Sequence, residues 1–91
     1  MKSKLIIGKD GTKKWKLPNG YLHREGEPAI EYTNGTRIWY LAGHIHREDG
    51  LAIVWHDGAE SWYLNDVEYT EHKHKHKTRS IKLKKLLWSL N

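Results

Sequence analysis

Cysteine is absent from the 91 residues, as is phenylalanine, while proline occurs twice and methionine once. Without cysteine there is neither a disulfide framework nor a thiolate zinc site. No stretch is long and apolar enough to span a bilayer. Residues Met1 to Ile7 hold two lysines and a three-residue apolar run, too short for the core of a signal peptide, so a soluble cytoplasmic protein is the expectation. A chain of this size buries only roughly 60% of the surface its unfolded form exposes. Stability must therefore come from aromatic packing, tight turns or a partner. The five tryptophans and five tyrosines suit a shallow core whose large side chains are half wet.

Acidic residues are scarce in one region only. Residues 1–69 carry nine Lys/Arg and ten Asp/Glu, whereas residues 70–91 carry seven Lys/Arg and one Glu. The formal net charge of +5 thus belongs to the tail.

What is present is a repeat. Gly11-Thr12-Lys13-Lys14-Trp15, Gly35-Thr36-Arg37-Ile38-Trp39 and Gly58-Ala59-Glu60-Ser61-Trp62 are spaced by 24 and then 23 residues, and each Trp is followed two positions on by Leu17, Leu41 or Leu64. The match runs on through His23-Arg24-Glu25-Gly26-Glu27-Pro28-Ala29-Ile30 and His46-Arg47-Glu48-Asp49-Gly50-Leu51-Ala52-Ile53. The extra residue of the first copy lies in its turn, Pro18-Asn19-Gly20 against Ala42-Gly43. Repeats near residues 11–34, 35–57 and 58–69, with a leading half-unit at 5–10, make up a domain over 1–69.

Each unit reads as β structure. Asp10-Gly11, Asn34-Gly35 and Asp57-Gly58 join apolar segments, and such pairs favour two-residue hairpin turns with positive φ. Ile30/Tyr32 and Ile53/Trp55 alternate as strand faces do, and the Trp-x-Leu pairs form a second stripe. The tail, residues 70–91, changes character. Thr70 is placed to cap a helix beginning near Glu71, and Ile81, Leu83, Leu86, Leu87 and Leu90 follow helical spacing with Lys82, Lys84 and Lys85 mostly on the other side. One helix, or two broken around Thr78–Ser80, both fit. The expected fold is mainly β: a tandem antiparallel β-hairpin repeat meander, with a C-terminal amphipathic α-helix as a cap for its last edge.

The unit at Gly35–Ala52, Gly-Thr-x-x-Trp-Tyr-Leu-x-Gly-x-x-His-Arg-Glu-Asp-Gly-x-Ala, resembles the MORN-like repeats of small bacteriophage proteins, whose loop usually reads His-Arg-Glu-Asp-Gly-Pro-Ala. The resemblance covers about residues 5–72. It implies a β-hairpin solenoid of phage or prophage origin, serving as a scaffold that contacts proteins or lipids, and no single activity. The chain departs from the pattern where Gly26-Glu27 replaces Asp-Gly, where Leu51 replaces Pro, and where Tyr69 takes the third His position.

Three groups of residues carry candidate chemistry. In the loops His23/Arg24 and His46/Arg47, each cation pair suits phosphate or carboxylate, the arginine offering a bidentate fork. The plainer reading is that an identical corner is being rebuilt, with His capping backbone carbonyls and Arg pairing with Asp or Glu. No Ser, Cys or paired carboxylate recurs with the histidines, so no catalytic residue and no enzyme is expected. His72, His74 and His76 alternate with Lys73, Lys75 and Lys77. The interleaved ammonium groups oppose a metal, so the run reads as solvated, with no cofactor expected. Exposed aromatics at Tyr21, Tyr32, Tyr40 and Trp55 form the third group, suited to stacking on bases or packing on a protein.

For partners the tail is the most informative segment: Lys73, Lys75, Lys77, Arg79, Lys82, Lys84 and Lys85 with Trp88. An acidic host protein, bound by a non-enzymatic phage accessory protein that modulates or inhibits it in the host cytoplasm, is the leading expectation. Nucleic acid held by the tail and Lys13/Lys14/Lys16 is the second, and capture of a nucleotide signal by the His-Arg loops the third. An anionic membrane surface is the least favoured, and an open sheet edge leaves pairing between copies as an option.

Overall fold

The computed structural model describes residues 2–89, the last of them by its backbone alone. Leu90, assigned above to the tail's apolar spacing, lies outside the described residues. The strands are β1 (Lys4–Ile7), β2 (Lys13–Lys16), β3 (Ile30–Glu31), β4 (Arg37–Ile38), β5 (Tyr40–Leu41), β6 (His44–Ile45), β7 (Ile53–Val54), β8 (Glu60–Leu64) and β9 (Val67–Tyr69), followed by helix α1 (Glu71–Ser89). Seven strands form one antiparallel sheet in the order β1-β2-β3-β4-β7-β8-β9, and β5 and β6 pair as a separate hairpin. The protein is therefore mainly β, an antiparallel meander with one C-terminal helix, as the repeat spacing implies. The Cα atoms span 47 × 31 × 16 Å, a thin slab.

The turns differ from expectation in an instructive way. Asp10-Gly11 does not close a two-residue hairpin: Gly8 N–H donates to Thr12 O at 2.8 Å and Gly11 N–H to Gly8 O at 3.0 Å, so three residues make the connection. The Asp10 side chain accepts the Thr12 N–H at 2.9 Å, and Gly11 sits at φ 90°. This is a type I turn closed by a left-handed glycine bulge. Asn34-Gly35 and Asp57-Gly58 repeat it, with Asn34 and Asp57 accepting the amides of Thr36 and Ala59. The two-residue turns lie elsewhere, at Ala42-Gly43 and Asn65-Asp66, where both central residues of each pair have positive φ.

Tryptophan is the pivot of the first two units. The Trp39 backbone N–H donates to Ala52 O at 2.8 Å and its C=O accepts the His46 backbone N–H at 3.1 Å, and Trp15 does the same with Ala29 and His23. Between β4 and β5 the strand thus leaves the main sheet and enters the small hairpin. Ala29 and Ala52 are wholly buried under these corners. The central core is Ile30, Ile38 and Ile53, stacked across β3, β4 and β7, with Leu22, Tyr40, Ile45 and Tyr63 against it. Successive units are stitched by Arg24 N–H to Tyr40 O at 3.1 Å and Arg47 N–H to Tyr63 O at 3.2 Å.

A single helix replaces the choice between one and two. Thr70 caps it, its hydroxyl accepting the Lys73 N–H at 3.2 Å. The helix packs on β8 and β9.

Candidate functional site

In the first His-Arg loop the arginine side chain is satisfied within its own unit. The Arg24 guanidinium lies over the Trp15 ring, 3.7 Å from its centroid. Its nitrogens donate to Pro28 O at 3.2 Å and Glu27 Oε2 at 3.0 Å, with Glu31 at 3.7 Å. His23 Nδ1 accepts the Ala42 N–H at 2.9 Å, which puts the proton of the neutral ring on Nε2, 3.6 Å from Glu25. The expectation that histidine caps carbonyls is corrected here: it accepts an amide of the tight turn in the next unit.

The second loop repeats this corner. Arg47 lies 4.2 Å over Trp39 and donates to Leu51 O at 3.1 Å. His46 Nδ1 accepts the Asn65 N–H, and its Nε2 donates to Glu48 Oε2, both at 3.1 Å. The second loop is also covered by the helix. Lys85 Nζ donates to Glu48 Oε1 at 2.9 Å, and Lys82 Nζ lies 3.1 Å from Asp49. Burial pushes the Glu48 carboxyl up, but the hydrogen bonds from Lys85 and His46 outweigh it and hold the group below the usual range. A shallow cleft of about 270 Å³ runs between the loops, with Arg24, Trp39, His46, Arg47, Glu48 and Lys85 in its walls.

At the third corner the loop is missing and the helix substitutes for it. Trp62 faces the ring of His74, with centroids 5.0 Å apart and planes at 51°. His74 Nε2 donates to Arg47 O at 2.7 Å, and its side chain is 1% exposed. His74 stands against Trp62 where Arg24 and Arg47 stand against Trp15 and Trp39. The solvated reading of the His/Lys run is therefore corrected at this position, although His72 and His76 are exposed. Among the described residues no group of three or more His, Cys, Asp or Glu gathers as a metal ion would require. The sequence carried one usable signal for His74, the third Trp without an arginine of its own.

The tail cations divide in two. Lys82 and Lys85 are engaged by the second loop and Lys75 pairs with Glu71 at 3.0 Å, so these three expected partner contacts are internal ones in the structure. Lys73, Lys77, Arg79 and Lys84 form no ion pair among the described residues and are exposed. At about 100° per residue, His74, Thr78, Ile81, Lys82 and Lys85 share the docked side. Leu83, Leu86 and Leu87 lie on the far side, 55%, 62% and 63% exposed, and Trp88 is 81% exposed. Of the leucines expected to cap the sheet, Leu83 and Leu87 therefore face solvent. The docked side is polar because the surface it meets is polar, a corner of carbonyl and carboxylate groups. Of the aromatic candidates, Tyr21, Tyr32 and Trp55 are exposed, while Tyr40 packs on the core. Its burial raises the phenol above its ordinary value.

These features define a hairpin-repeat platform whose last corner is completed by a helix with Leu83 and Leu87 exposed on its far side. No family model, curated protein or solved structure matches the chain. No helix among the described residues is long and apolar enough to cross a membrane.

Proposed function

We propose that the chain is a non-enzymatic interaction protein that binds an acidic protein partner through the outer face of α1. The observation that supports it is the exposed pair Leu83 and Leu87 on a helix already anchored by its opposite side, with Trp88 exposed in the turn beyond the anchor. An apolar strip of this kind suits a groove, in the manner of helix recognition. Lys73, Lys77 and Lys84 flank it on one side and Arg79 on the other, which favours acidic walls. His72 and His76 interrupt the strip toward the start of the helix, confining it to the last turns; that suits a pocket better than a flat bilayer. The resemblance to MORN-like phage repeats supports the finer reading: an accessory protein that modulates or inhibits a host protein in the host cytoplasm.

The test compares the wild-type chain with Leu83→Glu/Leu87→Glu, immobilised and exposed to nuclease-treated bacterial lysate. A defined acidic protein, retained by the wild type and lost by the variant while its melting is unchanged, is the expected result. Equal retention by both would remove the helix face as the interface. Salt-sensitive retention of nucleic acid alone, in lysate not treated with nuclease, would transfer the tail to the nucleic-acid reading.

A further inference from the structure

The opposite end of the sheet carries a second surface. β1 is the outermost strand, and all four of its residues are exposed, with Leu5 at 47%, Ile6 at 49% and Ile7 at 59%. Its inner side pairs with β2 in the register Lys4↔Lys16, Leu5↔Trp15, Ile6↔Lys14 and Ile7↔Lys13. Gly8 donates to Thr12 across the same ladder. Hydrogen-bonded and non-bonded pairs alternate in an antiparallel ladder, so Lys4 and Ile6 turn their N–H and C=O groups inward. The backbone groups of Leu5 and Ile7 point outward, free to meet another strand.

Charge decides what that strand is. Residues 2–16 contain Lys2, Lys4, Lys9, Lys13, Lys14 and Lys16 against Asp10 alone. The Asp10 carboxylate is tied into its turn by the Thr12 N–H and hydroxyl, both at 2.9 Å. Pairing two copies edge to edge would press two lysine clusters together, and edge lysines are a known guard against such pairing. Nucleic acid would use the lysines but gain nothing from the aliphatic row between them. An extended segment with apolar residues at alternate positions and acidic residues beside them satisfies the backbone, the aliphatic row and the charge together.

We propose that β1 is a docking edge for an extended, acidic-flanked apolar segment of a partner protein, which joins the sheet antiparallel or parallel beside Leu5–Ile7. This site is independent of the α1 face and lies at the other end of the strand order from the strands α1 packs on.

The probe is a fluorescent synthetic peptide of about seven residues, a usual strand length, alternating valine with glutamate and ending in aspartates. Its lysine-for-acid counterpart is the control, and binding to the full chain is read by anisotropy. The acidic peptide should bind and the basic one should not. Ile7→Pro removes an outward N–H while leaving the β1–β2 bonds in place, and it should weaken binding at least about tenfold. Lys4→Glu/Lys14→Glu should weaken it several-fold. N-methylation of alternate peptide amides, tested on the wild-type chain, should abolish binding on one phase of the alternation and spare it on the other, whether or not the proline variant folds.

Absence of binding by the acidic peptide overturns the proposal, as does equal binding of both peptides or indifference to N-methylation. Concentration-dependent dimers in sedimentation, lost in Ile7→Pro, would assign the edge to a second copy instead. Displacement of the peptide by an oligonucleotide, with affinity unchanged in Ile7→Pro, would reduce the surface to a general polyanion site.

Discussion

At the β9 end of the sheet, α1 supplies what the third repeat lacks: a ring for Trp62, a donor for Arg47 O, and lysines for Glu48 and Asp49. At the β1 end nothing among the described residues plays that part, and Leu5, Ile6 and Ile7 stay in solvent. One end is finished by specific polar contacts, the other guarded only by like charge. The difference shows that ending a repeat array takes a substitute for the missing neighbour, matched group by group, and that apolar cover is not the only currency. Leu83 and Leu87 of α1, the obvious material for a cap, are left exposed.

The sharpest way to break this comparison is His74→Ala. Loss of a fully buried ring and of its bond to the Arg47 carbonyl should cost roughly 2–4 kcal/mol, read as a shift in urea unfolding, with amide exchange rising first in α1. If the loss is no larger than that of an exposed histidine variant, the helix is not the sheet's closure.

Second comes Glu48, the acid that joins the loop to the helix. Its carboxyl is depressed when folded, so its contribution is present above the ordinary glutamate value of 4.5 and is lost as pH falls through the lower folded value. Helix docking, followed by Trp62 fluorescence, should therefore loosen below that pH. Glu48→Gln should cost about 1 kcal/mol near neutrality and flatten this part of the acid response. Asp66, held low by the His44 side chain and the Ile45 N–H, should keep its own share.

Lys82→Ala should fall within about 0.2–1 kcal/mol, the range of exposed ion pairs, and shrink further in salt. At the open end Leu5→Ser should stay within about 0.5 kcal/mol, measured in the same urea series. A large loss there would mean that β1 already supports the fold, and the contrast between the ends would fade.

Much of the architecture was legible in the chain. The spacing of Trp15, Trp39 and Trp62 counts the units, and the decay of the third loop marks where they stop. The turns at Asp10-Gly11, Asn34-Gly35 and Asp57-Gly58 stand where the sequence puts them but are one residue longer, because an Asn-Gly or Asp-Gly pair serves both two-residue and three-residue hairpins; only the register across Gly8 and Thr12 separates them. Asn65-Asp66 contains no glycine, so its left-handed backbone left little trace. The helix was visible from its spacing, but not which side docks. Apolar periodicity points the leucines inward, whereas the real anchor pairs Lys82 and Lys85 with acids more than thirty positions earlier, and long-range pairing of that kind leaves no local pattern. His74 lay hidden between lysines for the same reason.

The closure at Trp62 has a consequence for length. Among the described residues the helix is anchored on the hairpin of the last tryptophan and the loop just before it; nothing in that anchor counts the units further back. A copy of residues 35–57 inserted ahead of Gly58 would present α1 with the same Trp, the same carbonyl and the same two acids. Each added unit brings two strands to the main sheet, an advance of about 10 Å at the usual strand spacing. The array is thus a ruler with a fixed stop, and the number of repeats sets how far apart its two ends are held.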